Sequence, residues 1–136
     1  MWTSRLDLSR REVRVSALIH GPLGIRQVSC LWDPGAATTI VNTPVLDSLG
    51  FNAKMGKRRR GMWGAGGESL PGYTLDIRLD VFGEVLHPHE ILAQDILPEH
   101  LGVEVLLGMD LVPGRIFTLD GVAGIFSVAR SGAGPR

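Results

Sequence analysis

The sequence predicts an all-β domain of short strands with a brief helical turn or two. Three observations carry that expectation. Apolar residues alternate at period two in several segments. The chain has 18 glycines and 8 prolines in 136 residues, which demand frequent turns and favour short strands over long helices. No internal repeat or linker composition divides it, and a domain of this size buries roughly two-thirds of the surface its unfolded chain exposes, enough for one core without staples.

A polar arm, residues 1–11, precedes the domain of residues 12–130. From Glu12, the positions Val13, Val15, Ala17 and Ile19 share one face of a strand. Gly21-Pro22-Leu23-Gly24 is a turn, and Ile25 to Trp32 closes a hairpin that delivers the chain to Asp33. Thr38 to Val41 is a β-branched run. A short helix follows, with Thr43 as its N-cap, Pro44 in its first position and Gly50 just past its end. Lys54 to Trp63 leads into Gly64-Ala65-Gly66-Gly67, and Tyr73 to Val81 returns with Leu75, Ile77, Leu79 and Val81 on one face. A further hairpin turns at Phe82-Gly83, and Pro88 interrupts its second strand, which implies an edge or a bulge. Gln94 to His100 reads as a loop. Glu104 to Leu107 is a buried strand, ended by Gly108-Met109-Asp110 and a brief helical turn that Pro113-Gly114 cuts off. Arg115 to Leu119 and Gly124 to Val128 form a last hairpin, and residues 131–136 are expected to be a disordered tail.

Composition excludes several functions. With 14 basic and 14 acidic side chains, the chain has no global field to draw nucleic acid or an anionic membrane. The single cysteine, Cys30, cannot form an intrachain disulfide and suits a reducing compartment, with the cytoplasm as the default. Met1 to Leu8 lacks the apolar run of a signal peptide, and no stretch has the length of a membrane span.

An apolar strand running into Asp33-Pro34-Gly35-Ala36 holds a carboxylate at a strand end, where glycine lets backbone amides approach it. The surrounding motif is Cys30-Leu31-Trp32-Asp33-Pro34-Gly35-Ala36-Ala37-Thr38, followed by the helix that ends in Leu49-Gly50-Phe51. Met62-Trp63-Gly64-Ala65-Gly66-Gly67 comes next, then Val105-Leu106-Leu107-Gly108-Met109-Asp110-Leu111. In that order these segments resemble the retropepsin family of aspartic proteases, from about Val13 to about Val128.

The resemblance implies a closed β-barrel with a flap hairpin, and a catalytic Asp33 supported by Pro34, Gly35 and Ala36. Gly35, Ala37, Trp63, Gly64, Ala65, Gly66, Val105 and Leu106 would contact a polypeptide substrate, under a flap running from Trp63 to Gly67. One Asp-x-Gly loop is half a site, so the implied enzyme is a homodimer with an Asp33/Asp33′ dyad at its interface, and it needs no metal or organic cofactor. Pro34 departs from the family, where threonine or serine is usual; it lacks the hydroxyl and amide proton that reach across the dimer, although it biases Asp33 toward extended backbone. The alternative is a catalytically impaired dimer of this fold that binds or scaffolds peptides.

Other motifs read more plainly. Asp110 reads as a structural cap or ion-pair partner, not a second catalytic acid. Lys54 and Lys57-Arg58-Arg59-Arg60 read as a solvated strand face. His87-Pro88-His89-Glu90 does not assemble three metal ligands and reads as surface histidines. Gly64 to Gly67 lacks the Lys-Ser/Thr of a phosphate loop, and Cys30 is a small buried hydrophobe.

Overall fold

The computed structural model describes residues 1–63, 69–95 and 102–130, and of residues 58–63 and 69–71 the backbone alone. The strands are β1 (Trp2–Arg5), β2 (Arg14–Gly21), β3 (Gly24–Trp32), β4 (Ile40–Val41), β5 (Lys57–Trp63), β6 (Ser69–Val81), β7 (Glu84–Ala93), β8 (Val105–Leu107), β9 (Arg115–Asp120) and β10 (Ile125–Arg130). One helix, α1 (Thr43–Ser48), and 3-10 turns at Ala53–Met55 and Met109–Leu111 complete the described elements.

Strands β2, β3, β8, β4, β7 and β6 hydrogen-bond in that order, and β6 returns to β2 through Leu18↔Asp80, Ile19↔Leu79 and His20↔Arg78. The result is a closed barrel, with β5 added outside β6. Closure leaves the barrel strands no free edge at that seam. Period-two alternation decides what faces inward: Val15, Ala17 and Ile19 of β2 and Leu75, Ile77, Leu79 and Val81 of β6 are all buried, while Ser16 and Asp76 are exposed.

The turn between β6 and β7 has positive φ at both Phe82 (56°) and Gly83 (71°), a geometry that matches the twist of the flanking strands. Phe82 tolerates it because its ring is buried edge-on against Trp2 and Phe117. In β7, His89 pairs with Ile77 and Leu86 with Leu79, so His87 and Pro88 together oppose Arg78. This is the bulge that Pro88 implied, and it spares proline a ladder hydrogen bond.

Helix α1 differs slightly from expectation. It begins at Thr43, with Asn42 rather than Thr43 as the N-cap, and Asn42 makes no side-chain capping bond. Proline fits either of the first helical positions, because neither needs its N–H, so Pro44 did not fix the start to one residue. Gly50 (φ 86°) ends the turn as expected.

A second sheet, β1–β10–β9, packs on the barrel. Trp2–Arg5, within the segment read as a polar arm, pairs with β10 from Trp2↔Val128 to Arg5↔Ile125. The inner face of this sheet brings Phe117, Phe126 and Trp2 against Trp32 and Phe82, and Phe126 is fully buried. Its other face leaves Ile116 and Ile125 exposed. No helix among the described residues is long and apolar enough to cross a membrane.

Candidate active site

Strand β3 runs parallel to β8, pairing Cys30↔Val105, Leu31↔Leu106 and Trp32↔Leu107. The ladder continues one residue further, since the Asp33 N–H donates to the Leu107 carbonyl at 2.9 Å. Behind it, the Trp32 ring stacks on Phe117 and Phe126 at centroid distances of 5.0 and 5.3 Å. That bulky residue therefore anchors the strand end, with its indole packed against the C-terminal sheet. Asp33 is thus held from both sides at the point where β3 leaves the barrel.

The loop then folds back on the carboxylate. The Gly35 N–H donates to Asp33 Oδ1 at 2.9 Å, and the Ala36 N–H to the Asp33 carbonyl at 3.0 Å. A Cβ on Gly35 would sit 3.0 Å from the same Oδ1, so glycine is what allows that amide so close. Asp33 is half-buried, whereas Pro34, Gly35 and Ala37 are exposed. The site therefore presents a fixed, hydrogen-bonded carboxylate to a face open to solvent or to another chain.

Gly108 supports this loop from below. The Met109 N–H donates to the Ala36 carbonyl at 2.7 Å, and the Gly108 N–H to Thr39 Oγ1 at 3.2 Å. Thr39, fully buried, donates its hydroxyl to Asp110 Oδ1 at 2.9 Å, and His89 Nε2 lies 2.8 Å from Asp110 Oδ2. Burial opposes the charge on Asp110, but the hydrogen bonds from His89 and Thr39 outweigh it and hold the carboxyl below the ordinary range. Asp110 is therefore a tie between β7 and the loop after Asp33. His89 is not the free surface histidine expected from sequence; the bulge at Pro88 turns it onto Asp110.

Leu106 and Val105 part company. Leu106 joins Ile40, Leu92 and Val103 in a small apolar cluster, with Leu31 packed against it. Val105 is fully buried in the main core and offers no surface to a ligand, because adjacent strand residues face opposite ways. Of the flap residues, only the backbone of Trp63 is described, at Trp63↔Ser69 in the β5–β6 pairing; Gly64, Ala65, Gly66 and Gly67 lie outside the described residues. Burial, with a smaller contribution from Glu104, pushes the Cys30 thiol up to about 12, as suits a core side chain. Among the described residues, no group of three His, Cys, Asp or Glu side chains is placed to hold a metal ion.

Sequence reading missed Thr39, His89 and Gln94. Thr39 and Asp110 are 71 positions apart, and nothing local links them. Gln94 fell at the start of a segment read as a loop, yet it is 1% exposed.

Residues 15–111 match the family model described as aspartyl protease. No curated protein sequence matches the chain. Among solved structures, the chain is similar to a retropepsin-like aspartic protease from Rickettsia conorii, at 16% identity, over 93% of this chain and 96% of that one, with a TM-score of 0.67. EIAV protease complexed with the inhibitor HBY-793 is similar at 19% identity, over 76% of this chain and 86% of that one, with a TM-score of 0.54. The retroviral protease-like domain of Ddi1 from Leishmania major is similar at 14% identity, over 90% and 97% respectively, also with a TM-score of 0.54. At these identities the structures establish a common fold, the retropepsin-like barrel.

Proposed function

Because this chain belongs to the aspartyl protease family, we propose that it is an endopeptidase whose active site forms when two copies bring their Asp33 carboxylates together about a twofold axis. The observation that carries the reading is the half-buried Asp33, held at a strand end by the Gly35 amide beside a face that its own chain leaves open. One carboxylate has no acid to complement it as base; a symmetric copy supplies one.

Two carboxylates at contact distance cannot both ionise cheaply, so the pair shares one proton and titrates as a unit. The ionised member takes a proton from a water held between them, and the resulting nucleophile attacks the scissile peptide carbonyl. The protonated member hydrogen-bonds the carbonyl oxygen, and a proton then passes to the leaving nitrogen. In this reading the Gly35 carbonyl meets the substrate backbone, Leu106 lines a pocket for an apolar side chain, and the β5–β6 hairpin closes over the peptide.

Cleavage of an unstructured protein at mildly acid pH tests the proposal. Asp33→Asn should lower activity by a hundredfold or more while leaving the circular dichroism spectrum unchanged, about what loss of an acid–base group costs. Retained activity in that variant, or sedimentation as a strict monomer at concentrations that cleave, refutes the shared site.

A further inference from the structure

A groove of about 300 Å³ lies between the N-terminal arm and β9. Leu6 and Leu8 of the arm, Val13 just before β2, Trp32 at the end of β3 and Leu119 of β9 line it, so its walls are mostly apolar. Leu8 and Leu119 are each more than half exposed. The arm is held in place, since the Leu6 N–H donates to the Gly124 carbonyl at 2.9 Å and the Ser9 N–H to Asp7 Oδ1 at 3.1 Å. Contiguous exposed apolar surface with a polar rim marks a contact surface. Pro34 and Arg11 also line the groove. Pro34 follows Asp33 directly, about 3.8 Å away at Cα, so the groove opens beside the carboxylate. Arg11 is exposed and pairs with no carboxylate among the described residues.

The hairpin that supplies Leu119 also carries a complement to this groove. Val122, in the turn between β9 and β10, is fully exposed, so it does not fill the groove of its own chain. The turn that presents it is fixed: Asp120 Oδ1 accepts the N–H groups of Val122 at 3.0 Å and Ala123 at 2.9 Å, and the Gly124 N–H donates to the Asp120 carbonyl at 2.9 Å. Asp120 Oδ2 has no partner among the described residues. An apolar groove with an unpaired cation thus stands beside a rigid tip that offers an apolar side chain and a carboxylate oxygen. Resting on the dimeric peptidase reading above, we propose that each β9–β10 tip seats on the groove of the second copy, with Val122 against Leu8 and Leu119 and Asp120 beside Arg11. Groove and tip sit on both copies, so a twofold axis between the paired Asp33 residues makes the contact twice. Each contact adds apolar burial and one charge pair next to the Asp33 seam.

Sedimentation over a concentration series, with cleavage of an unstructured protein measured at the same concentrations, tests this. Val122→Asn keeps a turn-forming residue but loses the apolar contact, and should raise the dimer dissociation constant about tenfold or more. Arg11→Gln and Asp120→Asn should each raise it about fivefold, and the double variant no further than either alone, because both remove the same pair. Asp120→Asn retains the Oδ1 acceptor and with it the turn. Every one of these variants should regain wild-type activity per dimer once its concentration exceeds the new dissociation constant, and Asp33→Asn should dimerise as tightly as the wild type. A dimer of unaltered strength in Val122→Asn, losses that add in the double variant, or activity that concentration does not restore overturns the proposal. A wild type that stays monomeric at concentrations that cleave overturns the shared site as well; a wild-type dimer indifferent to these substitutions overturns only this contact.

Discussion

Gly108→Ala isolates the support beneath the loop that follows Asp33. The backbone at Gly108 has φ −102°, which any residue adopts, so an alanine there meets no conformational barrier. Its Cβ, however, would lie 2.7 Å from the Thr38 carbonyl carbon and oxygen and 2.8 Å from the Ala36 oxygen. These are backbone atoms that cannot rotate aside. Relief requires the loop after Asp33 to move, which strains or breaks the Met109-to-Ala36 and Gly108-to-Thr39 hydrogen bonds. Overpacking costs about 1–3 kcal/mol, and two hydrogen bonds add about 1 kcal/mol each. The expected loss is therefore about 3–5 kcal/mol, or roughly 10–20 °C in Tm for a domain of this size. Misplacing Asp33 by about 1 Å would lower kcat by about a hundredfold as well. Thermal melts at fixed protein concentration measure the first effect, with Gly121→Ala as the control, since nothing lies within 4 Å of a Cβ built there. A Gly108→Ala melt within about 2 °C of the wild type, less than 1 kcal/mol costs, would refute this account of the loop.

Pro34→Thr should tighten the proposed dimer: about 1 kcal/mol for each of two to four recovered hydrogen bonds, less about 0.4–1 kcal/mol per chain for the lost rigidity of proline, leaves about 1.5 kcal/mol at the middle of these ranges, about tenfold in dissociation constant. Sedimentation over a concentration series reads it, and an unchanged or weaker dimer would mean that other contacts join the two loops. Asp110→Asn should be less stable than the wild type above about pH 4, where the native carboxylate is charged and its lowered pKa contributes fully. That gap should shrink as pH falls through the folded pKa, and urea titrations at pH 6 and pH 3 that show equal gaps would contradict the role of the hydrogen bonds from His89 and Thr39. Cys30, fully buried with its thiol pushed up to about 12, should resist alkylation in the folded protein and react fully in denaturant; rapid native labelling would show that the barrel opens at β3.

The alternation in β2 and β6, the glycine turns and the position of Asp33 at the end of β3 were legible because each depends on neighbours within a few residues. Period two assigns Val15, Ala17 and Ile19 to one face whatever the partner strand is. Pro88 announced an irregularity for the same reason, a missing N–H. The Asp33 and Gly108 segments were recognisable because a carboxylate approached by amides and a glycine under a loop each restrict residue type at that position.

Pairing between distant segments was not legible. Thr3, Ser4 and Arg5 carry no apolar pattern, and they form a strand only because β10 offers them hydrogen bonds. His89 meets Asp110 only because two residues of β7 bulge opposite Arg78, which shifts the register. Gln94 reads as a polar loop residue, yet its N–H bonds the Val41 carbonyl of a distant strand and its side chain is buried. Local chemistry along the chain thus determined the strands, the turns and the placement of Asp33 at a strand end. Which distant groups meet was decided by tertiary structure, because backbone hydrogen bonds and burial are satisfied between segments whose separation leaves no mark on either one.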